Sequence, residues 1–355
     1  MDETQRDFLD NLLATATPSG FEAAGQRVFV DYVEPHADEV RTDAYGNAVA
    51  VHEGDPDVNI SVVLAGHGDE IGLMVRDVTE DGFLKLTRVG GADKTVTRGQ
   101  YVTVHGRDGP VPGVVGQTAI HLRGRDGDDG PSDIDEMHVD IGAEDAKAAT
   151  ERVEIGDPIT VDTSVTDLDG SLVAARGMDN RTGVWTAAEG FRRAVERDAN
   201  ATVFAVSTVQ EEVGRNGAEM VGYDLDPDVV LAADVTHATD TPGSPDEGSV
   251  IELGEGPVVG RGAANHPVVV DAVRRVADEA DVAVQLSAAG SDTGTDAESF
   301  YTARSGVAAL NVSIPNRYMH TPVEVIDTAD LDAVGELMGT FAARAEGFAP
   351  FAVDI

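Results

Sequence analysis

ISVVLAGHGDE, residues 60–70, is the stretch that decides the fold. Its opening run ISVVLA is apolar without alternation, as expected of a strand covered on both faces in an open α/β sheet. His67 and Asp69 follow at once. Such sheets build their sites at the carboxyl ends of their strands. Working outward, the arrangement recurs. RGMDNRTG (176–183) follows a short β run and opens a helix, and STVQEEVG (207–214) closes the apolar run ATVFAVS. LAADVTHA (231–238) continues VVLAAD, and MHTP (319–322) follows VAALNVSI (307–314). Each segment supplies His, Asp or Glu where a buried strand gives way to a loop.

The rest of the chain falls into three parts. Residues 3–16 and 24–33 have apolar side chains at helical spacing, separated by Pro18-Ser19-Gly20, and 47–52 reads as a strand. From about 72 to 165 short β-rich runs alternate with Gly, Pro and Asp turns, with one short helix near 143–150, which suggests a small barrel or sandwich. The stretch 123–136 (RGRDGDDGPSDIDE) reads as a polar, acidic, mobile loop. After 170 strands and helices alternate again, with helices expected at 181–197, 266–280 and 328–346. The expected architecture is a three-layer α/β/α domain, 1–71 and 166–355, interrupted by a β-rich insertion at 72–165.

Composition narrows the function classes. The 355 residues include 65 Asp+Glu against 25 Lys+Arg, a net charge of -40, and nearly all the cations are Arg. Self-repulsion on that scale is tolerable at high ionic strength, where the Debye length falls to about 3 Å at 1 M salt. The chain therefore reads as adapted to a salt-rich cytoplasm. Nucleic acid and anionic membrane are excluded as partners, since both need basic patches. There is no cysteine, hence no disulfide, thiolate zinc site or Cys nucleophile. The start, MDETQRDFLDNLL, lacks the basic and apolar regions of a signal peptide, and no stretch is long enough to span a bilayer, so a cytoplasmic location is expected.

The strand-end residues suit a pair of hydrolytic divalent metals. His67 can bind a metal through one ring nitrogen while Asp69 orients the ring through the other. Asp179 can bridge two metals or cap the following helix, a role for which Asn180 competes. Glu211 and Glu212 are adjacent on extended backbone and point apart, so one can ligate a metal and the other reach a bound water as general base. Asp234 ends its strand and can share the metal of His67; His320 is a ligand candidate in the last loop. His237 is placed near the site by its closeness to Asp234. His36, His52, His105, His121, His138 and His266 receive no role.

In order and spacing, HGDE, GMDNRTG, QEEVG, ADVT and NRYMHTP resemble the M42 metallo-aminopeptidases, the tetrahedral aminopeptidases. PSGFE (18–22), HVDIGA (138–143) and GTDA (294–297) extend the likeness almost end to end. The resemblance implies a di-metal α/β domain with an inserted β-barrel that serves dimerisation. It implies one metal on His67 and Asp234, a second on Glu212 and His320, Asp179 between them, Glu211 as base, and Asp69 supporting His67. Zinc or cobalt fits that ligand set, and manganese is compatible. The substrates implied are short peptides, losing their N-terminal residue, with Asp296 in GTDA a candidate for the substrate amine. The assembly implied is a homododecamer built from dimers. One departure is GRNGA at 214–218, where the family more often has GLRGA. Rival readings are another di-metal amidase, deacylase or carboxypeptidase, and, further off, an endoglucanase-type glycosidase working through two carboxylates.

Overall fold

The computed structural model describes residues 1–122, 132–245 and 250–355. An eight-stranded sheet forms the frame. Its strand order is Glu39–Thr42, Ala48–His52, Thr202–Thr208, Ser61–His67, Val229–His237, Ala308–Asn316, Val258–Arg261 and Gln285–Ala288. The four central strands, Thr202–Thr208 to Ala308–Asn316, are mutually parallel. They are the apolar runs picked out in the sequence, and Val62, Val63, Leu64, Val230, Leu231 and Leu310 are fully buried.

Helices cover both faces. Met178–Glu196 and Thr328–Ala343 pack on one side with Glu3–Ala14, Ala23–Val33 and Pro267–Glu279, while Asn216–Leu225 and Asp296–Thr302 cover the other. Glycine sets one close approach: a Cβ on Gly66 would stand 2.3 Å from the carbonyl carbon of Gly183. The helix can therefore seat against the end of the Ser61–His67 strand because residue 66 lacks a side chain.

The insertion is a closed six-stranded barrel in the order Gly72–Val78, Leu84–Val89, His138–Asp140, Gly109–Val115, Tyr101–Gly106 and Pro158–Val161. Alternating residues fill its interior, among them Leu73, Val75, Leu84, Leu86, Val102, Val104 and Ile159. The expected short helix is Ala146–Thr150, and a second single turn, Lys94–Thr97, was not anticipated. Of the loop expected at 123–136, residues 123–131 lie outside the described residues, and Ile134–Glu136 form a 3-10 turn. A small antiparallel sheet, Thr166–Asp167, Leu172–Ala175 and Glu324–Asp327, joins segments far apart in the chain. Among the described residues no helix is long and apolar enough to cross a membrane.

Candidate metal centre

Strand register does the first work of assembly. Thr208 lies opposite His67, and the ladder between Ser61–His67 and Val229–His237 pairs Ala65 with Ala232. Two residues further along each strand stand His67 and Asp234, with Nε2 of His67 3.7 Å from Oδ1 of Asp234. The same Nε2 is 3.2 Å from Oδ1 of Asp179 and 3.9 Å from Oε2 of Glu211.

The other ring nitrogen faces Asp69, at 3.3 Å from Oδ1. Asp69 is wholly buried. It also accepts hydrogen bonds from Ser19 Oγ (2.6 Å) and from the backbone N–H groups of Glu211 (2.9 Å) and Glu212 (3.2 Å). One carboxylate thus orients the imidazole and holds the di-glutamate turn. Burial would raise the Asp69 pKa, but His67, Ser19 and the Glu211 N–H bring it below the ordinary value.

Asn180, not Asp179, takes the capping role. Both lie outside helical backbone geometry at the start of Met178–Glu196. Asn180 caps the helix, since its Oδ1 accepts from Gly183 N–H (2.8 Å) while its Nδ2 donates to the Ala233 carbonyl (2.8 Å). Asp179 is left free to face outward between two histidines, its Oδ2 lying 3.2 Å from Nε2 of His320. His320 Nε2 is in turn 3.5 Å from Oε1 of Glu212. Glu211 and Glu212 separate, one carboxylate beside His67 and the other beside His320.

Two groups result, His67–Asp179–Asp234 and Asp179–Glu212–His320, each with its ligand atoms within 4.8 Å of one another. They share Asp179, and each could hold a cation. The electrostatics ask for one. Oε1 of Glu212 is buried with no hydrogen-bond partner. Burial pushes Glu211 up to about 9, with Asp234, Asp296 and Glu212 adding to the rise and His67 opposing it. Burial likewise raises Glu212 and Asp234. Asp179 and Glu212 raise His320 to about 11, while His320 and His67 hold Asp179 well below the usual carboxylate range despite its burial. So many buried anions around two imidazoles are costly unless further positive charge compensates them. His plus carboxylate donors are the right set for a pair of zinc, cobalt or manganese ions.

Sequence reasoning missed Glu324. Its carboxylate is buried and accepts from the backbone N–H of Asp179 (3.1 Å) and of His320 (2.7 Å), tying the shared ligand to the last one. The Leu172–Ala175 and Glu324–Asp327 ladder puts it there, pairing Ala175 with Glu324. The only signal was a carboxylate inside the otherwise apolar run VEVI.

Asp296 is the candidate the sequence offered for the substrate amine. It is 2% exposed, lies beneath the site, and accepts a hydrogen bond from Thr208 Oγ1 at 2.5 Å. Its neighbours Thr293, Gly294 and Thr295 line the cleft. Thr295 caps the helix Asp296–Thr302, in whose first turn Asp296 lies. His237 does line that cleft, a cavity of about 260 Å³ that also takes in His67, Glu211, Asp234, Met319 and His320. The unusual GRNGA segment holds its own loop: Arg215 pairs with Glu298 at 3.3 Å, and the Asn216 amide donates to Gln210 Oε1 at 3.3 Å.

Comparison with known proteins agrees with this architecture. The model of the M42 glutamyl aminopeptidase family matches residues 46–337. A lysyl aminopeptidase of Pyrococcus furiosus is 33% identical, over 92% of this chain and 93% of its own. Among solved structures, a TET aminopeptidase from a marine sediment thaumarchaeon superposes with a TM-score of 0.91 at 29% identity, covering 98% of this chain and 100% of the other. The TET1 peptidase of Pyrococcus horikoshii, which assembles into a tetrahedron or a large octahedral shell, superposes with a TM-score of 0.84 at 27% identity, covering 95% and 99%. The sequence match runs through every segment that builds the centre, and the chain belongs to the M42 glutamyl aminopeptidase family.

Proposed function

We propose that the chain is a dinuclear metallo-aminopeptidase that removes N-terminal residues from short peptides. The observation that carries this reading is the pair of His–carboxylate groups sharing Asp179, with Glu211 beside them and outside both. His67 and Asp234 would hold one divalent ion, Glu212 and His320 the other, and Asp179 both. Bound there, such a pair supplies Lewis acidity to the attacking water and to the oxygen of the scissile carbonyl.

The remaining chemistry belongs to the chain. The Glu211 carboxylate accepts the proton that water loses as it attacks, and returns it to the leaving amine. Asp69 keeps His67 oriented and fixes the turn that aims Glu211, because it holds the N–H of both glutamates. Glu324 keeps Asp179 and His320 in register through their backbones. The cleft lined by His237 and Thr293–Thr295 receives the peptide.

Self-association belongs to the same reading. The barrel presents exposed Tyr101, Val114 and Ile155, apolar surface suited to a dimer contact. A tetrahedral dodecamer built from such dimers is the assembly we infer; one solved neighbour is a dodecamer and another assembles into a tetrahedron or a large octahedral shell. The acidic, cysteine-free composition supports a salt-rich cytoplasm as its setting.

The test compares free-amine peptides, their N-acylated forms and a cello-oligosaccharide as substrates, with metal analysis alongside. Hydrolysis of the free-amine peptides alone, with two ions per chain and loss on chelation, is expected. Preference for the acylated peptides would make the enzyme a deacylase instead, and chelator-resistant cleavage of the sugar would make it a glycosidase.

A further inference from the structure

A second depression meets the first at Asp179 and His320, between the frame and the barrel. Its volume is about 60 Å³. Its walls are mainly apolar: Leu73, Val96, Ile159 and Val161 come from the insertion, and Ile71 and Pro322 from the frame. The charged groups at its rim are engaged elsewhere. Arg176 is bound by Glu70, which also holds Arg181. Asp93 caps its own turn, accepting from Thr95 N–H and Thr95 Oγ1, each at 2.7 Å. Glu324 is spent on the two backbone N–H groups described above.

An exopeptidase that cuts after the first residue has one side chain on one side of the scissile bond and the remaining peptide on the other. The two depressions match that asymmetry: a wide polar cleft of about 260 Å³ beside Glu211 and a small apolar one of about 60 Å³ beyond His320. We propose that the small depression receives the side chain of the substrate's N-terminal residue, and that the barrel makes this enzyme selective for short neutral aliphatic residues. The inference rests on the aminopeptidase reading and adds its substrate class.

Size and polarity decide the class. A water occupies about 30 Å³ of liquid, and an apolar cavity of about 150 Å³ binds benzene. The depression therefore suits alanine, valine and, with slight yielding of its walls, leucine, but not phenylalanine. A lysine or glutamate side chain would leave its charge against Ile159 and Val161 without a free partner, which costs more than its methylenes return.

The experiment uses the metal-loaded, fully assembled protein and the p-nitroanilides of alanine, valine, leucine, phenylalanine, glutamate and lysine. The aliphatic substrates are expected to lead the other three by about tenfold or more in kcat/KM, the discrimination one or two misfitting groups produce. Val96→Phe fills the depression and should lower the leucine-to-alanine ratio of kcat/KM by about tenfold; Ala92→Leu, on the same wall, should shift it the same way. Calorimetric titration with free valine and free alanine gives a reading independent of turnover: Val96→Phe should weaken valine more than alanine. A preference for lysine, glutamate or phenylalanine would overturn the proposal, as would an unchanged ratio in both variants. Absence of turnover on every free-amine substrate, with fold and metal intact, would instead overturn the aminopeptidase reading, and the titrations would still decide the pocket.

Discussion

The α/β frame and the inserted barrel reach the same centre by different means. The frame delivers charged side chains: all five residues of the two candidate cation groups come from it, on strand ends or the loops that follow them. The barrel adds none to either group. It contributes backbone and apolar wall instead. Built Cβ atoms on Gly90 and Gly91 would stand 3.1 Å from the Glu212 Cβ and 2.7 Å from His320 Nδ1. The division teaches that a parallel sheet can hold the reaction chemistry nearly constant while an insertion at one strand end changes what that chemistry is offered. Variants in the two regions should therefore fail in different ways.

The largest effect belongs to the frame. Glu211→Gln keeps the shape of the base but removes its ability to take a proton. Turnover on free-amine peptides should fall by about two to four orders of magnitude, with two ions per chain retained by metal analysis. Near-normal turnover would move the base elsewhere. Ligand variants come next and should act on metal instead. His67→Ala and His320→Ala should each lose one ion, while Asp179→Ala should lose both because it stands in both groups. Two ions retained in Asp179→Ala would end the shared-ligand reading.

A barrel variant should behave differently again. In Gly91→Ala the new methyl meets the His320 ring, so that ring must shift while the frame's other ligands stay put. The affinity of the second ion alone should drop, by about tenfold, the range seen when supports of a metal ligand are disturbed. Competition against a graded chelator would measure it. Equal loss of both ions would mean that the frame itself had been disturbed.

How much of this could be read without coordinates also differs between the two regions. On the frame, the apolar runs ending at His67 and Asp234 were legible because both faces of those strands are buried and the loss of alternation marks them. The helix Pro267–Glu279 was legible from its spacing. The last two strands of the sheet, Val258–Arg261 and Gln285–Ala288, were not, being four residues each with no apolar run to mark the second. The helix Asn216–Leu225 was hidden by Gly217 and Gly222, which sequence propensity counts against a helix but which let it pack close to the Val209 backbone and Ala303. Glu324 could not be found locally, since its role depends on a ladder joining residues 172–175 to 324–327. For the barrel, texture revealed the strands and their turns, but not that the loop after Leu84–Val89 would lie against His320.

The smallest effect probes charge. The chain's lysines, Lys85, Lys94 and Lys147, all lie in the insertion, paired with Asp77 at 3.2 Å, Asp133 at 2.6 Å and Glu151 at 3.8 Å. The frame carries the greater share of a net charge of -40 and relies on arginine alone for its side-chain cations apart from histidine. Its unpaired carboxylates repel at low ionic strength and are screened within about 3 Å at 1 M salt. Exposed ion pairs such as those of the barrel lose strength in the same salt. Salt should therefore stabilise the frame and leave the barrel unchanged or slightly weaker. Raising KCl from about 0.2 to about 2 M should lift the melting temperature by several degrees, since about 1 kcal/mol moves Tm by roughly 2–4 °C in domains of this size. Hydrogen exchange at low salt should open the frame helices before the barrel strands. Uniform opening, or a melting point indifferent to KCl, would show that the excess charge is evenly borne and that the two regions do not differ in what salt must do for them.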